Sequence, residues 1–220
     1  MGSAPALEAE IRLALPDDAS PEAILAALAP RLQGPVVTHS CLDHYLDHPG
    51  LLLLAQRLAL RVRVLPERSW VELKGEGVLR DGVWHRPEWR QEAPENWSRR
   101  PGDLAEGPVR RGLSLARLPP ETPLSGLCVC QVSRQVVPVA LDGGGVAELS
   151  LDCGEVRAGG ARQAIRELEL EWRSGPQEGL TRLAAELTRA HGLVPAPASK
   201  FRIGLSLRQE GLGCGTDGLV

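Results

Sequence analysis

The sequence predicts an α+β protein whose antiparallel strands turn charged faces toward one another and apolar faces outward. Three observations predict it. From Ile165 to Arg173, Glu167, Glu169 and Glu171 alternate with Leu168, Leu170 and Trp172. A strand would then separate three carboxylates from three large apolar groups, because successive side chains point to opposite sides. The same grammar recurs from Leu7 to Leu13, with Glu8, Glu10 and Arg12 opposite Leu7, Ala9, Ile11 and Leu13. Other predicted strands also carry mixed charge on one face: Arg61 with Arg63, Glu72 with Lys74, Arg86 with Glu88 and Arg90, Glu148 with Asp152. Like charges side by side repel, so such faces are costly unless cations lie between the acids. A solvated edge would explain any single run, whereas the repetition points to faces that converge on a polar interior walled by mixed charge.

The remaining elements follow in chain order. Ser20, Pro21 and Glu22 make a helix start, with a side-chain cap, a proline in the first turn and an acid near the positive end of the dipole. Ile24, Leu25, Leu28 and Leu32 keep helical spacing, with Pro30 disturbing the last turn. Val36 to Asp47 reads as extended, Asp47 to Gly50 as a turn, Leu51 to Gln56 as a short helical turn and Ala59 to Val64 as a strand. A hairpin is predicted from Trp70 to Gly77 and Trp84 to Gln91 about Asp81 and Gly82, which places Lys74 and Glu88 on neighbouring strands.

Ala93 to Gly126, rich in Pro, Gly and Arg, reads as irregular structure with one short helix. Val129 to Ala140 and Val146 to Asp152 form a second hairpin about Asp142 and the three glycines after it, and a turn from Gly154 to Ala161 leads into the acidic strand. Ser174, Gly175 and Pro176 open a helix whose stripe of Leu180, Leu183, Ala184 and Leu187 ends at Gly192. From Ala198 a last strand is predicted, with Lys200 and Arg202 on one side and Phe201 and Ile203 on the other. The result is one domain over residues 1–210 and a flexible tail over 211–220.

Composition narrows the function. A chain of 220 residues can bury a proper core, and its net charge of −3 gives no whole-molecule field to attract nucleic acid or an acidic membrane. Five cysteines without zinc spacing read as reduced, structural thiols. The N-terminus lacks the pattern of a signal peptide, and the apolar run from Pro49 to Leu60 is interrupted by Gln56 and Arg57, so a cytoplasmic location is the default expectation. His44 and His48 flank Asp47 in a turn and read as solvated histidines, not transition-metal ligands. The glycines at 143–145 lack the strand-loop-helix context of a phosphate loop.

Several short motifs occur in order: Glu8 to Arg12, Tyr45 to Asp47, Leu60 to Arg63, Leu73 to Gly77, Arg86 to Glu88, Leu151 to Glu155, Glu167 to Glu171, and Ser199 with Lys200. Over about residues 7 to 207 this set resembles the CYTH family, the triphosphate tunnel metalloenzymes, and within it the bacterial inorganic triphosphatases. The resemblance implies an antiparallel, roughly eight-stranded closed barrel with helices outside. It implies Mg²⁺ or Mn²⁺ as cofactor and inorganic triphosphate or polyphosphate as substrate, hydrolysed to phosphate and pyrophosphate. No nucleic-acid or membrane partner is expected, and the chain is expected as a monomer or homodimer.

Residue by residue, the resemblance assigns substrate binding to Arg12, Arg61, Arg63, Lys74, Arg86, Arg134, Lys200 and Arg202, whose forks and point charges suit phosphate oxygens. Metal binding falls to Glu8, Glu10, Glu148, Asp152, Glu167, Glu169 and Glu171, since magnesium takes oxygen ligands. Catalysis falls to Glu8, Glu10, Arg12, Lys74 and Glu88. Arg12 stands where the family has lysine, and Arg90 where some relatives have a second acid. Two other readings stay open: hydrolysis of thiamine or nucleoside triphosphate or cyclisation of ATP, and a non-catalytic anion-binding module. The low aromatic content of 3% weighs against a large organic group. Replacing Glu169 by Gln is expected to relax a crowded acidic site at little cost in folding.

Overall fold

Where the sequence alternates charge with apolar residues, the chain forms strands. The computed structural model describes residues 5–94 and 97–213. In chain order the elements are β1 (Ala6–Ala14), α1 (Pro21–Ala27), β2 (Val37–Asp47), α2 (Leu52–Ala55), β3 (Ala59–Val64), β4 (Ser69–Lys74), β5 (Val78–Arg80) and β6 (Val83–Glu92). There follow α3 (Pro108–Leu115), β7 (Ser125–Leu141), β8 (Gly145–Ala158), β9 (Ala161–Ser174), α4 (Glu178–His191), β10 (Val194–Pro195) and α5 (Lys200–Gly213). The strands pair antiparallel in the order β1-β9-β8-β7-β2-β3-β4-β6, and β6 returns to β1 with Leu7 opposite Pro87 and Glu10 opposite Trp84. Eight strands therefore close a barrel, which removes the exposed edges of an open sheet. Strands β5 and β10 are short additions to it.

The outer wall is apolar and lies under helices. Ile11, Leu13, Leu149, Leu151, Leu168 and Leu170 pack beneath Ile24 of α1 and Leu180, Leu183 and Leu187 of α4. Leu46, Leu60, Val71 and Leu73 pack beneath Leu53 of α2 and Val109 and Leu113 of α3. Each such leucine, fully removed from water, contributes about 1.5–3 kcal/mol. Ser20 caps α1 by accepting from the Ala23 amide at 3.2 Å, as its sequence signature predicts.

Inside, charge does not run the whole length. At one end Tyr45, Cys128, Cys130, Val132, Val156 and Ile165 fill the interior and meet Leu207 of α5. Helix α5 comes close there because residue 204 is glycine, and any Cβ would overlap the Cys128 side chain. The barrel is thus sealed at that end by an apolar plug. Cys41, Cys128, Cys130 and Cys153 are free thiols, as the spacing suggested. No helix among the described residues is long and apolar enough to cross a membrane.

Three expectations need correction. The strand predicted from Ala198 is instead helix α5: Ser199 caps it, its hydroxyl accepting from the Arg202 amide and its carbonyl from the Ile203 amide. Four alternating residues are too few to choose a period, and the apolar barrel end selected the helix. The turn predicted from Gly154 to Ala161 shrinks to Gly159 and Gly160, with β8 and β9 paired up to Ala158 and Ala161. Gly154 is no breaker, for a Cβ there would overlap the Gln131 carbonyl on β7. The Asp81–Gly82 turn joins β5, not β4, to β6, although Lys74 and Glu88 are opposite each other as predicted. The tail expected from residue 211 overlaps the end of α5, and positions 214–220 lie outside the described residues.

Candidate active site

The charged faces of β1, β3, β4, β6, β7, β8 and β9 enclose a cavity of about 720 Å³. Strand pairing sets who meets whom. Glu8 lies opposite Arg86, Glu10 opposite Glu171, and Arg12 opposite Glu169. Four ion clusters result.

In the first, Glu8 accepts from Lys74 Nζ at 2.8 and 3.0 Å and from Arg86 Nε, while Arg86 reaches Glu10 at 2.8 Å and Lys74 reaches Glu88 at 3.1 Å. Burial would raise the Glu8 carboxyl, but Lys74 and Arg86 overcome it and hold the group at about 2. Glu10 goes the other way, raised by burial and by Glu169 and Glu8 beside it. In the second, Asp43 takes both Arg63 Nε and Nη2 at 2.7 Å and Arg61 at 3.2 Å, and Arg61 also bonds Glu72. Arg61 and its cationic neighbours hold Glu72 at about 2 against burial.

The third cluster centres on Lys200 at the start of α5, whose ammonium reaches Asp152 at 2.9 Å, Glu167 at 3.1 Å and Glu169 at 2.7 Å. Arg134 binds Asp152 through Nε at 2.7 Å and Glu169 at 2.6 Å. Both cations, Arg134 first, keep Glu169 well below the usual carboxylate range although it is half-buried. The fourth cluster is short of cations: Glu148 and Glu171 share Arg173 alone. Burial, with Glu8 and Glu148 nearby, pushes Glu171 up to about 7.

Of the residues expected in the site, Glu8, Glu10, Arg12, Arg61, Arg63, Lys74, Arg86, Glu88, Arg134, Glu148, Glu169, Glu171, Lys200 and Arg202 line the cavity. Asp152 and Glu167 do not; they are buried behind it and fix Lys200 and Arg134. Arg202 is exposed on α5 at the rim. Arg12 differs from the other deep cations: its Nε is buried without a hydrogen-bond partner, with Glu10 at 3.3 Å and the Trp84 ring at 6.0 Å. It keeps a donor free for an anion.

The sequence reading missed Asp43 and Glu72 as partners of Arg61 and Arg63. The alternation of Cys41, Asp43 and Tyr45 on β2 carried the signal, but two apolar neighbours masked one acid. Asp47 is not a metal ligand; its carboxylate accepts from the amides of His48, Leu53 and Leu54 and caps α2.

Among the described residues no three His, Cys, Asp or Glu side chains converge as a complete metal site. The donor set nevertheless suits a hard cation. Glu10 and Glu171 face each other on β1 and β9, both with proton affinity raised by burial first and by neighbouring carboxylates second, and no His or Cys among the described residues lines the cavity. Magnesium commonly binds through one or two carboxylates and completes its shell with water and phosphate oxygens.

A closed antiparallel barrel around a chamber with eleven basic and eight acidic lining side chains is a barrel with an excess of positive charge inside. The CYTH domain pattern matches residues 6–204, and the chain belongs to the CYTH family. Its fold is shared with a Hippeastrum protein described as a candidate adenylyl cyclase with a dominant triphosphatase activity: 22% identity, 91% of this chain and 96% of that one covered, TM-score 0.66. A Bacillus halodurans protein described as a candidate adenylate cyclase matches at 18% identity over 88% and 95% of the two chains, TM-score 0.56. A Vibrio parahaemolyticus protein similarly described matches at 13% over 94% and 99%, TM-score 0.52.

Proposed function

We propose that the protein is a metal-dependent triphosphatase acting on inorganic triphosphate. The observation that carries this reading is the excess of cations over carboxylates around the chamber, with a pair of crowded acids, Glu10 and Glu171, on one wall. A simple anion binder gains nothing from acids that repel its ligand. Family membership and the triphosphatase activity described for the Hippeastrum protein agree with it.

Arg61, Arg63, Lys74, Arg86, Arg134 and Lys200 grip the phosphates by exchanging their present carboxylate partners for phosphate oxygens, and Arg12 offers its free donor. Glu8, Glu10, Glu169 and Glu171 would hold the magnesium ion, which when bound neutralises developing charge on the phosphoryl oxygens. Lys74 and Arg86 stabilise charge on the transferred group.

One observation favours a second reading. Tyr45 and Phe201, the only Tyr and Phe of the chain, stack at 5.4 Å and line the cavity together with Leu54 and Leu58. The scarcity of aromatic residues therefore loses its force, and an organic triphosphate finds an apolar wall. Phosphate release from tripolyphosphate, ATP and thiamine triphosphate, each with Mg²⁺ and with chelator, decides. Tripolyphosphate is expected to be turned over fastest and only with metal. Faster turnover of an organic triphosphate supports the second reading, and none with any substrate leaves a binding module.

A further inference from the structure

Two unpartnered atoms of opposite charge lie close together in the barrel interior. Among the described residues, four buried side-chain polar atoms lack a hydrogen-bond partner, and Arg12 Nε and Glu167 Oε1 are two of them. Buried groups left unpaired are costly, so a folded protein rarely keeps them without a use. Arg12 Nη1 stands 3.9 Å from Glu167 Oε1, about 1 Å longer than an ordinary hydrogen bond. On the other side Arg12 Nε stands 3.3 Å from Glu10 Oε1, an ion pair without hydrogen-bond geometry. The guanidinium therefore sits between two carboxylates and is hydrogen-bonded to neither.

The two acids face different surroundings. Glu10 lines the cavity and already accepts from Arg86 at 2.8 Å, so a metal ion arriving at its carboxylate meets two competing arginines. Glu167 is buried behind the cavity and gives its other oxygen, Oε2, to Lys200 at 3.1 Å. Strand pairing sets this arrangement: Arg12 lies opposite Glu169, and Glu167 lies opposite Ala14, one step further along the same inward faces. The planar fork of arginine lets one side chain address both carboxylates with different nitrogens, which a single ammonium cannot do. A divalent cation at Glu10 would repel a guanidinium only 3.3 Å away, and the direction left open to it ends at Glu167 Oε1.

We propose that Glu167 is a positioning residue that takes Arg12 over from Glu10 when a divalent cation occupies Glu10. The handover rests on the metal-dependent reading of the chamber and gives Glu167 a role other than metal ligand. It completes the hydrogen bond that Glu167 Oε1 lacks, relieves Glu10 of one competing cation and leaves Arg12 Nε for a phosphate oxygen. Lys200 need not move, because it holds the opposite oxygen of Glu167 and is fixed by Asp152 and Glu169 as well.

The test is a double-mutant cycle on the full-length protein, with Mn²⁺ binding measured by calorimetry in the absence of substrate. Wild type, Glu167→Gln, Arg12→Gln and the double variant are compared, and urea unfolding in chelator checks that each folds. Glu167→Gln is expected to bind Mn²⁺ about tenfold more weakly, about 1.4 kcal/mol, because a neutral amide does not draw the guanidinium off Glu10. Arg12→Gln binds at least as tightly as wild type, and adding Glu167→Gln to it changes the affinity by less than about twofold. A tenfold loss that persists without Arg12 overturns the proposal and assigns the effect to Lys200 and Glu169. Unchanged affinity in Glu167→Gln overturns it too, as does weaker binding in Arg12→Gln alone. Should Glu167→Gln fail to fold, Arg12→Gln decides by itself: equal or tighter binding supports the handover, and a loss refutes it. Wild type that binds no Mn²⁺ sinks this proposal together with the metal-dependent reading. The expected cycle without turnover of tripolyphosphate, ATP or thiamine triphosphate sinks the proposed function and leaves the handover standing.

Discussion

Replacing Glu171 by Gln should make the metal-free protein more stable, and only above mildly acidic pH. Glu171 rises from 4.5 to about 7 because it is buried beside Glu8 and Glu148 with Arg173 as its one close cation. A raised carboxyl stabilises the fold while protonated. That contribution is complete below pH 4.5 and is lost as pH climbs through about 7. The rise corresponds to about 3 kcal/mol, and since a quarter of the side chain is exposed, about 2–3 kcal/mol is the expected range at pH 8. Gln keeps the shape without the charge, and Arg173 retains Glu148 at 3.0 Å. Urea unfolding of wild type and Glu171→Gln at pH 4.5, 6, 7 and 8, in chelator, measures the difference. It should be near zero at the lowest pH and grow to its full size at the highest. A difference independent of pH, or a variant less stable at pH 8, refutes the assignment of crowded charge to this wall.

Lys200→Met should cost about 3–5 kcal/mol in denaturant unfolding, because it strands Asp152, Glu167 and Glu169 in the interior without their shared cation; a loss below about 1 kcal/mol would show that water already solvates them. Gly154→Ala should lower stability by at least about 2 kcal/mol through the clash with the Gln131 carbonyl, and an unchanged melting temperature would show that β7 and β8 can part there.

The barrel wall was legible because alternation is a local signal. Glu167, Glu169 and Glu171 could be set on one face, and Lys74 beside Glu88, without knowing the closure. What each charge does was not legible, since it depends on which strands meet. The three acids of β9 share one pattern yet separate in space: Glu169 lies between Arg134 and Lys200, Glu167 sits behind the cavity, and Glu171 shares Arg173 with Glu148. The relaxation expected from removing Glu169 therefore belongs to Glu171. Likewise α5 was missed because its identity comes from the apolar barrel end it covers, and no window of its own sequence shows that surface.

The plug formed by α5 with Cys128, Cys130 and Ile165 has a kinetic consequence. Among the described residues, apolar side chains fill that end of the barrel, so a chain entering the chamber finds no passage there. Under the proposed function, product made inside leaves past the rim by which substrate arrived and competes with it for the same passage. Cleavage of any long chain would then nibble from a terminus and never sever the middle.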